Sequence, residues 1–447
     1  MKNLGKSADK LGGLHLAGGI SAAAWALLAC RSHSEGAPLA WVLATLAVSW
    51  AALAWGWQAV SDRTSRAVIF WALVFRIVAH FATPVLEDDH HRFLWDGYRF
   101  ALTGNPYATE PRESFNDASL PPAFREILDH INHPDVPTIY GPVCEWAFRL
   151  GHAIAPGKLW PWKLLLLAAE LALIALLWGE LSARGRLVLA WCPLTIFETG
   201  FNAHPDVLAL APLVAAWWLG RRGWFAAAGA AVGVAVAAKI FALLLAPFVL
   251  WRLGWRAWLA AAAAVIFFYA PFWLRGSAAD LAGLRAMAAE WEFNSSVYAV
   301  VAALSSPVAA RVLCGLAFTA IGLALFLRWV AASELRPDAA PDPLPPGEWV
   351  YGAFLLLSAV ANPWYALWLW PFVAVRISAT GLCALAAVSL AYVTGLNLGD
   401  ASLGNFGHPW WLRPVEFGAI ALAAGCEIWK RKPARGPRSA LTGGSPQ

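Results

Sequence analysis

Unbroken apolar stretches recur along nearly the whole chain, among them Lys163 to Trp178 and Ala257 to Trp273, and nothing else limits its fold as strongly. A run of 18 or more apolar residues is long enough to cross a bilayer as a helix. A single run could be the tail of a soluble enzyme, but a series of them excludes that and excludes a disordered chain. A transmembrane β-barrel would show about ten residues of polar and apolar alternation per strand, which these runs lack. Of 447 residues, 60% are hydrophobic and 14% charged, against about a quarter charged in soluble domains. The expected fold class is an all-α polytopic membrane protein.

Spans are placed near 11–30, 38–60, 66–86, 158–181, 187–200, 206–220, 257–274, 308–330, 349–361, 364–377, 379–396 and 412–429. Between Arg221-Arg222 and Arg252 lies an apolar stretch long for one span and short for two, interrupted by Gly233, Lys239 and Pro247. It reads as a hairpin of two short helices near 224–251, turning at Lys239, which gives about 12–14 transmembrane helices in all. With the N-terminus inside, nineteen Lys and Arg fall in cytoplasmic segments and five (Arg31, Arg275, Arg285, Arg311, Arg413) in short external loops. That asymmetry is the one that orients membrane proteins, and it places both termini inside.

The chain then divides into N-terminal transmembrane helices (1–86), an external loop with an acidic motif and short helices (87–156), a transmembrane bundle (157–429) and a cytoplasmic tail (430–447). The tail, rich in Pro, Gly, Ser and Arg, reads as disordered, and Pro337 to Pro346, with five prolines, reads as a cytoplasmic linker. The apolar run ending at Cys30 resembles a secretory or lipoprotein signal, but the tripeptide before Cys30 matches poorly, so it is read as a retained span. There is no internal repeat.

The net charge of +5 sits in small clusters between apolar runs, which excludes a nucleic-acid stripe. Six scattered cysteines without a Cys-x-x-Cys pair argue against a disulfide framework or a zinc site. Among 28 tryptophans, Trp160 with Trp162 and Trp410 with Trp411 lie where runs end, the place of interfacial anchors.

The unusual polar residues collect on the external side. They run from Glu87-Asp88-Asp89-His90-His91-Arg92 through Trp95, Asp96, Asn105 and Tyr107, then Tyr140, Glu198 to Asp206, Phe293-Asn294, and Asn362-Pro363-Trp364-Tyr365. In a helix, Asp89, Arg92 and Asp96 share one face. A carboxylate beside an arginine stays ionised, as a base or ligand must. Lys239 and Glu170 lie in apolar stretches, where a charge costs several kcal/mol unless paired or hydrated. Lys239, at the turn of the hairpin, is placed where a lipid phosphate lies. Glu170 reads equally as a helix-packing hydrogen bond, and Arg76 as a partner for the acidic cluster one or two turns away. His90, His91, His204 and His408 with neighbouring aspartates offer metal ligands, yet no His-Glu-x-x-His spacing occurs. No metal ligands are therefore assigned, and the cofactor expectation goes no further than a possible divalent cation, Mg or Mn. No Gly-x-Ser-x-Gly, Walker or Gly-x-Gly-x-x-Gly pattern fits its context.

Asp88-Asp89-x-x-Arg92-Phe93-x-Trp95-Asp96-Gly97, with Gly104-Asn105-Pro106-Tyr107, resembles the first external loop of the GT-C integral-membrane glycosyltransferases that use polyprenyl-phosphate sugars, particularly the bacterial mannosyltransferase-like branch. The likeness continues through His133-Pro134-x-x-Pro137-Thr138-x-Tyr140-x-Pro142, Asn202-x-His204-x-Asp206, Lys239 and Asn362-Pro363-Trp364-Tyr365, from about 87 to 371. It departs at His90 and His91, where an apolar and an aromatic residue are expected. The resemblance implies inverting transfer of a sugar, with mannose favoured, from a polyprenyl-phosphate donor to a lipid, glycan or protein acceptor, on the outer face of a bacterial plasma membrane. A phosphodiester leaving group departs as an anion, so one base suffices, unlike the pair of a glycoside hydrolase. Asp89 is the first choice for that base and Asp88 the second. Lys239, Arg92 and His204 are assigned to the donor phosphate. Asp96, Trp95, Asn105, Tyr107, Tyr140, Asn202, Asp206, Asn362, Trp364 and Tyr365 are assigned to the substrates. The competing classes are a transporter or flippase, which would place its polar residues near the midplane, an assembly partner of another envelope enzyme, and a lipid-linked polymerase or ligase.

Overall fold

The computed structural model describes residues 2–34, 39–334, 344–394 and 409–431. Most of the expected tail, the linker residues 337–343 and His408 lie outside them.

Three long helices open the chain, with α2 (Leu39–Ala59) and α3 (Ser65–Phe81) both packed on α1 (Lys2–Ser32). On α2 the buried set Val42, Thr45, Leu46, Ser49, Ala52, Leu53 and Gly56 repeats every three or four residues, one stripe of a helix turned to its neighbours. Next come α4 (Asp89–Thr103), α5 (Pro122–Asp129) and α6 (Pro142–Ile154), the short helices of segment 87–156. The bundle resumes with α7 (Trp160–Trp178) and α8 (Ala183–Trp191).

From here proline punctuates the helices. Pro193 opens the single turn α9 (Pro193–Thr195), which runs into a π-turn at Ile196–Phe201 before α10 (Asp206–Gly220). The expected span 187–200 is thus an interrupted helix. Helix α11 (Phe225–Ala238) stops at Lys239, which is extended, and a 3-10 turn (Ile240–Leu244) leads to α12 (Ala246–Leu250). These are the two short elements expected to meet at Lys239. Helix α13 (Trp255–Trp273) lies so close to α11 that a Cβ at Gly229 or Gly233 would strike the Ala257 or Ala261 carbonyl. Small residues four apart allow this approach of two backbones in a membrane. Then follow α14 (Leu281–Glu290), α15 (Val297–Leu304), α16 (Pro307–Glu334) and α17 (Gly347–Leu357). The expected span 364–377 is a 3-10 turn (Pro363–Trp368) joined at Leu369 to α18 (Trp370–Val375), and α19 (Ala379–Ala387) and α20 (Leu412–Arg431) follow.

Six helices among the described residues are long and apolar enough to cross a membrane: Asp9–Ser32, Leu39–Ala59, Asp62–Phe81, Trp160–Trp178, Trp255–Trp273 and Pro307–Ala332. Asp206–Gly220, Phe225–Ala238, Gly347–Leu357 and Ala379–Thr394 are apolar but shorter. On α16, Val308, Val312, Leu316, Leu323 and Leu327 form an exposed apolar stripe, as a lipid-facing surface requires. The protein is an all-α polytopic membrane protein.

Two expectations change in the interior. Arg76 does not reach the acidic cluster: it pairs with Glu170 on α7 at 2.7 Å and donates to the Ala190 carbonyl of α8, also at 2.7 Å. Both partners are buried, so this pair satisfies two charges the bilayer would otherwise penalise. Trp162 is no interfacial anchor either. It is buried beneath the loop after the π-turn, whereas Trp160 and Trp410 are exposed. All six cysteines are free.

Candidate active site

At the end of the bundle where α3 and α11 finish and α7 and α10 begin, a cavity of about 260 Å³ opens. The sequence builds this end with irregular backbone. The left-handed residues Leu86, His133 and Ala203 stand directly beside Glu87, Asn132 and His204. Non-glycine residues in that region carry strain that surrounding contacts must hold, a recurrent feature of functional sites. Those contacts are visible: Lys163 on α7 donates to the Ala79 and Ala82 carbonyls at the end of α3 (2.8 and 2.7 Å), and Trp162 Nε1 donates to the Ala203 carbonyl (2.9 Å).

The cavity wall carries two kinds of charge. Glu87, Asp89 and Lys239 share it with Tyr140, Asn362, Trp364 and Tyr365, and with Arg92, Asn132, His133 and Trp291. Asp89 accepts from Asn132 Nδ2 at 2.9 Å and from the Tyr140 hydroxyl at 3.0 Å. Burial opposes its ionisation, but the positive charge of nearby His204 and the hydrogen bonds from Asn132 and Tyr140 outweigh it, holding the carboxyl down at about 2. The base named first from the sequence therefore stays ionised, and the arginine offered as the reason is not the cause. Glu87 is pushed well above its ordinary value, first by burial and then by the Asp89 charge.

Asp88, the second choice, accepts from Asn132 at 2.6 Å and does not line the cavity. Arg92 lines it, but its guanidinium is committed to Asp96 (3.0 Å) and to the Val136 carbonyl (3.0 Å), which braces the 131–140 loop. His204 lies behind the wall, not at a phosphate position. Its Nδ1 donates to Glu198 at 2.7 Å, its ring stacks on Trp364 at 4.1 Å, and Nε2 faces Asp89 Oδ2 at 3.8 Å. Burial works against its charge, yet Glu198 and Asp89 raise its pKa to about 10. Lys239 donates to Asp206 at 2.7 Å, and Trp368 donates to the same oxygen at 2.6 Å, so Asp206 holds the ammonium between the Phe241 and Tyr365 rings.

The other residues expected at the substrates are set apart from the cavity. Asn202 bridges the Val85 amide (3.1 Å) and Glu198 (3.2 Å). Trp95 packs with Tyr98, Phe124 and Leu128 under α5. Asn105 turns the chain after α4 by accepting from the Tyr107 amide (3.2 Å), and the Tyr107 hydroxyl donates to the Tyr140 carbonyl (2.9 Å). Asp96 is the counter-charge of Arg92. Tyr140, Asn362, Trp364 and Tyr365 are on the wall as expected. His90 and His91 stack on each other at 4.0 Å, and burial lowers them to about 3 and about 4. They do not join His204.

Sequence reasoning left unassigned Glu87, Asn132, Glu198 and Glu145. Glu87 and Glu198 stood within the external clusters and carried that signal. Asn132 reaches Asp89 across 43 residues, and Glu145, paired with Thr138 at 2.9 Å, sits inside an amphipathic helix, so neither had one. Glu87, Asp89 and His204 are a group among the described residues able to hold a metal ion, with one ligand atom from each within 4.8 Å of the others.

The family model described as alpha-(1->6)-mannopyranosyltransferase, N-terminal domain, matches residues 11–255. The chain belongs to this mannosyltransferase family. No curated protein and no solved structure matches it. The matched stretch of this glycosyltransferase includes Glu87, Asp89, Glu198, His204 and Lys239, while Asn362, Trp364 and Tyr365 complete the cavity from beyond it. Membership agrees with the resemblance carried by the first-loop motif and stands against the transporter alternative.

Proposed function

We propose that the cavity transfers a mannosyl unit from a polyprenyl-phosphate donor to a hydroxyl of a lipid, glycan or protein acceptor, with inversion, on the outer face of a bacterial plasma membrane. The observation that carries this reading is a carboxylate, Asp89, hydrogen-bonded by Asn132 and Tyr140, sharing one cavity with Lys239, which a buried aspartate holds. The acceptor oxygen attacks the anomeric carbon, the bond from that carbon to the phosphate oxygen breaks, and polyprenyl phosphate leaves as an anion. The hydroxyl proton passes to Asp89, which the Asn132 and Tyr140 hydrogen bonds and the His204 charge hold in the basic form. Lys239 stands where the leaving phosphate gathers charge. Arg92 supports this from a distance, since its hydrogen bonds are already spent on Asp96 and Val136. Inversion gives an α-linkage from a β-linked lipid phosphate, in keeping with the linkage named in the family's description. Trp364 and Tyr365 offer flat apolar faces for the sugar rings.

The test is turnover of polyprenyl-phosphate mannose by purified Asp89→Asn. Loss of about 10²-fold or more with an unchanged melting temperature is expected. Turnover near that of the native chain removes Asp89 from the chemistry.

A further inference from the structure

Two buried carboxylates, Glu87 and Glu198, and the half-buried Asp89 surround one imidazole, His204, at the acidic corner of the cavity. Coulomb repulsion in a poorly hydrated place favours neutralising such a cluster, by protons on Glu87 and His204 or by a bound cation that displaces them. The imidazole is oriented for one. Its Nδ1 is tied to Glu198, and its Nε2 is fully buried with no hydrogen-bond partner. The 3.8 Å from Nε2 to Asp89 Oδ2 is too long for a hydrogen bond. It suits two ligands of one ion, because bonds of about 2.0–2.2 Å set neighbouring ligand atoms roughly 3–4 Å apart. A histidine whose second nitrogen is held by a carboxylate is also the usual outer support of a metal ligand.

We propose that Glu87, Asp89 and His204 Nε2 bind one divalent cation of the class that accepts nitrogen together with oxygen, Mn²⁺ or Zn²⁺, with Glu198 orienting the histidine. Glu87 and Asp89 line the cavity, so the open coordination positions face the substrates. There the ion would supply Lewis acidity toward the acceptor hydroxyl. That consequence rests on the transferase reading above, whereas binding itself does not.

The experiment counts metal, not turnover. The detergent-purified full chain is stripped with chelator, dialysed against MnCl₂ or ZnCl₂, and its metal content and affinity are measured. About one ion per chain is expected, falling to background in Glu87→Gln and in His204→Gln. Glu198→Gln, which touches no ion, weakens affinity about 10–100-fold. Glu292→Gln, a cavity-wall carboxylate outside the cluster, retains the ion. A thermal melt of each variant verifies folding, and if His204→Gln does not fold, Glu87→Gln decides. A native chain that binds no ion, or folded variants that bind as well as it does, overturns the proposal and leaves protons as the neutralising charge. An ion-binding chain without transferase activity sinks the functional reading and leaves the metal site standing.

Discussion

Two clusters of buried charge lie along the same helices, and they are built differently. In the interior, Arg76 and Glu170 match one cation to one anion at 2.7 Å, and Arg76 also joins α3 to α8 through the Ala190 carbonyl. At the end of the bundle, three carboxylates meet one histidine beside an open cavity, leaving Glu198 Oε1 and His204 Nε2 without hydrogen-bond partners among the described residues. The difference lies in how charge is neutralised. A pair closed on itself holds helices together. An unbalanced set next to a cavity is completed by what enters it, so it is position beside the cavity, together with unmatched charge, that separates this cluster from the closed interior pair.

The comparison breaks most readily at Glu170. Glu170→Ala leaves Arg76 charged in the interior and is expected to cost about 3–5 kcal/mol, seen as a large fall in melting temperature and yield. Asp89→Asn, in the unmatched cluster, is expected to leave the melt in place. Equal melting of the two variants would show that both clusters serve structure.

Lys239 and Lys163 provide the next contrast, since both lysines are anchored but only Lys239 lines the cavity. Lys239→Ala is expected to weaken binding of polyprenyl phosphate roughly tenfold or more, as loss of a charged hydrogen bond does. Lys163→Met should lower stability, because the end of α3 loses its cap, with donor affinity unchanged. Thermal-shift titrations with the bare and mannosylated lipid phosphate measure both effects. Unchanged affinity in Lys239→Ala would move the phosphate elsewhere.

What could be read from the sequence follows the range of the interactions. Apolar runs are local, so the helical membrane fold was evident, as was the break at Lys239. Asp89 stood out because its cluster is contiguous, and Tyr140, Trp364 and Tyr365 because each belongs to a short motif. The same motifs misplaced Trp95, Asn105 and Tyr107, because a motif residue can shape a loop as readily as line a cavity. The partners themselves were hidden. Arg76 finds Glu170 94 residues away, and Asn132 finds Asp89 43 residues away, distances over which periodicity carries no information. His204 was assigned to phosphate from its charge type and its place in the Asn202-x-His204-x-Asp206 motif, and its neighbours in the structure depend on a π-turn and a left-handed alanine.

The smallest effect tests whether the two clusters are independent. Trp162 precedes Lys163 on α7, and its indole N–H supports Ala203, the left-handed residue that delivers His204. Trp162→Phe removes this one hydrogen bond and some ring volume, a cost of about 1–2 kcal/mol. If the histidine's position depends on this support, turnover falls several-fold while Arg76 and Glu170 stay paired and the melt shifts only modestly. A modest melt shift with full turnover would mean that Glu198 and the stacked Trp364 hold His204 alone. The interior would then supply stability to the site but not its geometry.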